Sequence, residues 1–169
     1  MMIKPVKLLK GEELEIGTTD KHGNQLKQSD FVVTQDSFEG ISICQILYNG
    51  LTKEFVAMSS SGWWIPYQNL SIATEKLDHV IAKEFLGLEK CGAYWGKNNT
   101  PFIRMPIEYF NPVEESTLIL ETLGRRYRDL FTVIENGCWY LTVNKQIYSE
   151  GRLGVAACLA AVNSVRNKD

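Results

Sequence analysis

Apolar positions along the chain follow two rhythms, and the change falls near residue 74. Before it, they recur in short runs near residues 13–17, 31–34, 41–48, 51–58 and 62–66, with little helical periodicity. Turn chemistry separates these runs, notably D-K-H-G-N near residue 20 and N-G at 49–50. Five short strands in that length predict a small SH3-like barrel or a curled antiparallel sheet. S-I-A-T, 71–74, reads as the linker to a helix-bearing second part. The expected organisation is a small all-β module over 1–74 and a second domain over 75–169, an α+β fold overall.

Two hairpins carry Asn-Gly at the turn: I-S-I-C-Q-I-L-Y before N-G and L-T-K-E-F-V-A-M after it, and L-F-T-V-I-E before N-G and C-W-Y-L-T-V after it. Asn-Gly suits a type I′ turn, whose central residues need positive φ and whose twist matches the flanking strands. In the second hairpin the turn fixes the register, so Glu135 pairs with Cys138 and Ile134 with Trp139. One face then carries Leu130, Thr132, Ile134, Trp139, Leu141 and Val143, and reads as core. The other carries Phe131, Val133, Glu135, Cys138, Tyr140 and Thr142, and is also largely apolar. A sheet that is apolar on both sides is usually covered on both. That predicts three layers, an α/β/α sandwich around the hairpin at 130–143, or an outer layer supplied by a partner, with a two-fold homodimer as the commonest arrangement.

Helical periodicity supplies three candidate covers. Thr74 is placed to cap a helix over E-K-L-D-H-V-I-A-K-E-F-L, with Gly87 past its end and a stripe of Leu77, Val80, Ile81, Phe85 and Leu88. N-P-V-E starts a second, with Asn111 as N-cap, Pro112 at the first helical position, Glu114 in a capping box and a stop at Gly124. A third runs from about Arg152 to Arg166, lined by Ala156, Ala157, Ala160 and Ala161, small enough to let it lie close to a sheet.

The net charge of −2 changes the picture by exclusion. The first 74 residues hold six Lys/Arg and eight Asp/Glu, the rest twelve of each, so neither part is a basic arm for coating nucleic acid. No window is apolar for the roughly 18 residues of a membrane span, and M-M-I-K-P-V-K-L-L-K lacks the apolar stretch of a signal peptide. A cytoplasmic protein without membrane contact is expected. The four cysteines are scattered, with no C-x-x-C pair, which argues against structural zinc and for reduced, buried thiols.

No catalytic constellation stands out. Cys91 in E-K-C-G-A-Y-W-G reads as a loop thiol, and His22 and His79 are the only histidines. No phosphate-binding loop of the G-x-x-x-x-G-K-[ST] kind and no G-x-G-x-x-G is present. G-R-L-G at 151–154 either holds an anion at the start of the last helix or supplies a glycine for close packing. L-G-R-R-Y-R-D, 123–129, is the one basic cluster. Arg125, Arg126 and Arg128 either complement a helix C-terminus or form an anion-binding patch with Tyr127 for stacking. The aromatic stretch G-W-W-I-P-Y poses a further choice. Neighbours in a strand point to opposite faces, so one of Trp63 and Trp64 fills the small barrel. The other, with Tyr67, meets the second domain, another subunit or a ligand. Tyr94 and Trp95, in a Gly-flanked loop, pose the same choice. No cofactor is expected.

Three stretches of the second part, in order, carry a family resemblance: L-D-H-V-I-A-K-E-F-L-G-L with Trp95 soon after; N-P-V-E-E-S-T-L-I-L-E-T-L; and G-C-W-Y-L-T-V followed by E-G-R-L-G-V-A-A-C-L-A-A-V. Residues 75–169 in this pattern resemble the phage ABA sandwich domain family, although I-E-Y-F-N-P departs from the run that often precedes its second helix. The resemblance implies an α/β/α arrangement and a phage or prophage origin, with the first seventy residues as an added module. The expected function is a non-enzymatic accessory protein that binds and inhibits a host macromolecule, such as a host protein complex of the CRISPR defence type. The alternative is a nucleic-acid or nucleotide binder using the aromatic and arginine residues, and a hydrolase with an unrecognised site is the third.

Overall fold

The computed structural model describes residues 15–38, 40–98 and 100–167. The chain forms two compact units, Met1–Leu77 and Asp78–Asp169.

In the first unit, strands β1 (Glu15–Thr19) and β2 (Gln25–Lys27) pair as a hairpin. Strands β3 (Phe31–Asp36), β4 (Gly40–Asn49), β5 (Glu54–Ser59) and β6 (Trp64–Pro66) follow, then the single-turn helix α1 (Leu70–Ala73) and β7 (Thr74–Lys76). The last five strands form one antiparallel sheet in the order β6-β5-β4-β3-β7. Ile16 and Leu26 of the hairpin join Val32, Cys44, Ile46, Ala57, Ile65 and Leu70 in one buried cluster, against which Phe55, Trp63 and Ala73 pack. This core is built by period-2 alternation, each strand giving one face to it.

Two local expectations for this unit are corrected. Asn49-Gly50 does not form a two-residue turn, because Asn49 pairs with Glu54 across a longer loop. The Asn49 side chain accepts the Leu51 N–H (3.0 Å), closing an Asx-type turn, and Lys53 takes the positive φ instead. Nor does Thr74 N-cap the helix that follows it. It pairs with Thr34 as the start of β7, and its hydroxyl donates to the Leu70 carbonyl (2.6 Å), closing α1. Residues read as linker and helix start instead complete the β3 edge of the sheet.

The second unit opens with α2 (Leu77–Val80), whose first turn spans the division between units and which continues as a π-helical turn over Ile81–Phe85. Gly87, at φ +70°, ends it. The expected stripe of Leu77, Val80, Ile81, Phe85 and Leu88 is buried throughout. Strands β8 (Glu89–Cys91), β9 (Tyr94–Lys97) and β10 (Thr100–Pro106) form a small sheet where loop was expected, so Cys91 and the Tyr94–Trp95 pair lie on strands. Helix α3 (Ser116–Arg126) starts later than its sequence suggests: Glu115 is its N-cap and bears no side-chain cap bond, while Pro112 to Glu115 form a turn in which the Asn111 side chain accepts the Val113 N–H (3.1 Å). It runs past Gly124 to Arg126, with a right-handed backbone at the glycine. Strands β11 (Leu130–Glu135), β12 (Cys138–Val143) and β13 (Gln146–Glu150) make a third sheet, and α4 (Leu153–Arg166) closes the chain.

The β11–β12 register is the expected one, from Leu130↔Val143 to Glu135↔Cys138. Asn136 and Gly137 sit at φ +51° and +76°. A Cβ on Gly137 would meet no atom within 4 Å, so Gly137→Ala is expected to cost only backbone strain, about 1–2 kcal/mol. A urea unfolding midpoint checks this; no change would show that the turn is free to adopt another form.

Helix α4 is the hub of the unit. It packs against β12, β13, α3 and the π-helical turn, and Ala156, Ala157, Cys158, Ala160, Ala161 and Val162 are buried. A helix apolar all round belongs inside. It covers the Leu141/Tyr148 face, where these two residues pair across β12 and β13 and are both buried. The expectation of roofs on both faces is corrected here: Phe131 is 56% exposed, Val133 50% and Ile147 67%. Among the described residues the helices cover one face of this sheet only, and that face in part: Leu141 and Val143 are buried, but Ile134, expected in the core, is 58% exposed, so the α/β/α layering implied by the resemblance is not what surrounds the hairpin.

Candidate functional site

Strand alternation splits both aromatic pairs. Trp63 packs on the core of the first unit beside Ile65, while Trp64, opposite Met58 at the end of the sheet, is 36% exposed. Tyr67, just past Pro66, is similarly exposed and donates its hydroxyl to the Gly17 carbonyl (3.4 Å). In the second unit Tyr94 points out and Trp95 points in, at 1% exposure. Trp95, a candidate for recognition, is thus a core residue: His79 meets its ring edge-on at 5.8 Å and the Lys90 ammonium lies 5.9 Å from its centroid. Trp63 is likewise a packing residue. Trp64 and Tyr67 stay partly exposed on the first unit, and Tyr94 on the second.

The arginine cluster separates by role. Arg126 donates through Nη2 to the Phe85 carbonyl (2.6 Å), and its guanidinium sits 4.4 Å from the Phe85 ring centroid. It ties the end of α3 to the end of the π-helical turn, which is a structural duty. Arg125 and Arg128 are exposed, and Tyr127 is half-buried. The basic residues therefore offer two free-standing cations rather than a three-arginine patch.

Two further features stand out. The first is a polar knot in the first unit, which the sequence did not reveal. The Asp20 carboxylate, itself buried, accepts the backbone N–H groups of His22 (2.9 Å), Asn24 (2.8 Å) and Lys76 (2.8 Å), and the Asn24 side chain (3.0 Å). Lys21 donates its N–H to the Thr74 carbonyl (3.0 Å), and its ammonium lies 3.1 Å from Glu75. His22 Nε2 lies 2.7 Å from the same carboxylate oxygen. The β1–β2 turn is thereby bolted to β7. The second is the outer face of the third sheet. The cross-strand rows are Phe131–Thr142–Ile147 and Val133–Tyr140–Ser149. Cys138 continues the face, its thiol 3.2 Å from the Ser149 hydroxyl. Val143 and Gln146 pair across Asn144 and Lys145, both at positive φ, which brings Ile147 onto this face. Only Gly marks such turns reliably in sequence, and none is present here.

Among the described residues no group of three or more His, Cys, Asp or Glu side chains could hold a metal ion, and no helix is long and apolar enough to cross a membrane. All four cysteines are free thiols, and burial pushes the Cys158 thiol far up from its ordinary value, keeping it protonated. Comparisons with protein-family profiles, with curated proteins and with solved structures find no match to this chain.

Proposed function

We propose that the protein is a non-enzymatic accessory protein of phage or prophage origin, acting in the host cytoplasm by occupying and inhibiting a host macromolecule, with a defence complex of the CRISPR type as the leading class. One observation carries the binding part of this reading: a sheet face with Phe131, Val133 and Ile147 exposed, beside Tyr140. Contiguous apolar surface of this kind marks interaction sites, and aromatic residues dominate the energetics of such contacts. The phage origin rests on the three stretches that resemble ABA sandwich domains, with the first unit read as an SH3-like module beside them.

The test is capture from host lysate followed by mass spectrometry, comparing the wild type with Phe131→Glu/Ile147→Glu and with Trp64→Ala. A host complex retained by wild type and Trp64→Ala, and lost by the double variant, is the expected result. Equal retention by all three would place the contact elsewhere, and capture of nothing but the protein itself would overturn the reading. The second reading, nucleic-acid or nucleotide binding, is favoured by the exposure of Arg125 and Arg128 beside Tyr127. It predicts an affinity that falls steeply with added salt, and no shift with any nucleic acid removes it.

A further inference from the structure

The edge of the third sheet carries a second message, independent of what its outer face binds. β11 is a terminal strand in the order β11-β12-β13, and among the described residues no strand lies beyond it. Natural proteins blunt such edges with Lys, Pro, a bulge or a covering loop. β11 has none of these: its sequence is L-F-T-V-I-E, its register with β12 runs without a shift, and every residue from Phe131 to Glu135 is exposed.

The turn determines which backbone groups face outward. Residues flanking a two-residue turn exchange both hydrogen bonds, and bonded and non-bonded pairs then alternate. Glu135, Val133 and Phe131 therefore bond inward to Cys138, Tyr140 and Thr142, while Leu130, Thr132 and Ile134 aim their N–H and C=O groups at the free edge. A second copy of the same strand, laid antiparallel with Thr132 opposite Thr132, answers all of them. Leu130 then bonds with Ile134 of the copy, Thr132 with itself, and Ile134 with Leu130. On the outer face Phe131 falls opposite Val133 in the closer, non-bonded geometry, where aromatic–β-branched pairs are favourable. None of the paired positions is charged. Asp129, which would come opposite Glu135 at the end of the ladder, is turned away by accepting the Lys145 N–H (2.9 Å). A two-fold axis at Thr132 keeps the faces matched.

We infer that the protein forms a two-fold homodimer through antiparallel pairing of β11, which joins the two third sheets into one and doubles the apolar outer face. A ladder this short is at the small end of specific interfaces, so dissociation in the micromolar range is expected. Sedimentation equilibrium from about 1 µM to about 1 mM reads it directly. Thr132→Lys sets two ammonium groups opposite each other and is expected to weaken association at least about tenfold, as is Thr132→Glu. A mixture of the two is expected to recover a mixed dimer. Thr132→Pro removes an outward N–H without touching the β12 ladder, and is expected to be monomeric with an unchanged far-ultraviolet spectrum. Ile147→Glu, on the outer face but away from the edge, is expected to leave dimers intact. A wild-type monomer throughout the range overturns the inference. So does dimerisation indifferent to the Thr132 charge changes, and so does loss of dimers in Ile147→Glu, which would indicate stacking of outer faces instead.

Discussion

Gly154→Ala is expected to destabilise the second unit by at least about 2–3 kcal/mol, although alanine is the better helix former by about 1 kcal/mol. The reason is contact. A Cβ at this position would stand 1.9 Å from the Val113 carbonyl oxygen, 2.8 Å from its carbonyl carbon and 3.1 Å from its Cγ1. The obstruction is backbone, and that backbone is fixed. The Asn111 side chain holds the Val113 N–H, and the Asn111 carbonyl accepts the Glu114 and Glu115 N–H groups (3.1 and 3.0 Å). Relief requires moving either the start of α4 or the turn that precedes α3. Since α4 contacts β12, β13, α3 and the π-helical turn, its displacement spreads through the unit. Gly124 is the control: it is helical and exposed with nothing within 4 Å of a Cβ, so Gly124→Ala is expected to be neutral or to stabilise by up to about 1 kcal/mol. Urea unfolding of both variants checks the pair. A Gly154→Ala midpoint equal to wild type would mean that α4 slides freely. The same geometry decides the reading of G-R-L-G, in which this glycine serves close packing.

Period and turn chemistry were sufficient where one local signal governed. Asn136-Gly137 fixed a register and the side each residue takes, though not its burial, since Ile134 on the face read as core is exposed; the spacing of Leu77, Val80, Ile81, Phe85 and Leu88 fixed a buried stripe. Reading failed where tertiary partners overrode local preference. Thr74 is a good N-cap residue, but the unpaired edge of β3 recruits it into β7. Asn49-Gly50 is a good two-residue turn, but the Asn49 side chain closes a wider one. The short strands β8 and β9 alternate over too few residues to register as strands, so Tyr94 and Trp95 looked like a loop pair. The aromatic pairs posed the right question of what covers the second ring, yet only coordinates could say which ring was second. The apolar outer face was legible residue by residue. Its lack of a roof was not, because the helices are apolar enough to cover two faces and the sequence does not say that α4 serves one.

Asp20→Ala is expected to lower the stability of the first unit by about 3–5 kcal/mol, since hydrogen bonds to a charged group contribute about 1.5–3 kcal/mol each and the donors left behind are screened from water. Three of those donors are backbone N–H groups, and the Lys76 one belongs to β7, so the loss reaches the sheet edge as well as the turn. Asp20→Asn keeps the shape but turns an NH₂ group toward either the His22 and Asn24 N–H groups or the Lys76 N–H and the Asn24 amide, and about 2–3 kcal/mol is expected to go. The two substitutions are separated from mere packing loss by pH. Burial pushes the Asp20 carboxyl up, but the bonds from the Asn24 side chain and from the Lys76, Asn24 and His22 N–H groups outweigh it, leaving the value below the ordinary 3.8. A carboxyl depressed on folding stabilises the folded state above its unfolded value and loses that contribution as pH falls through the folded one. The difference in unfolding free energy between wild type and Asp20→Asn is therefore expected to be constant from neutral pH down to about 4, then to shrink as the wild-type carboxyl takes a proton. Urea midpoints at pH 7, 5, 4 and 3 measure it, and a difference that stays constant through the acid range would show that the Asp20 charge does not hold the β1–β2 turn to β7.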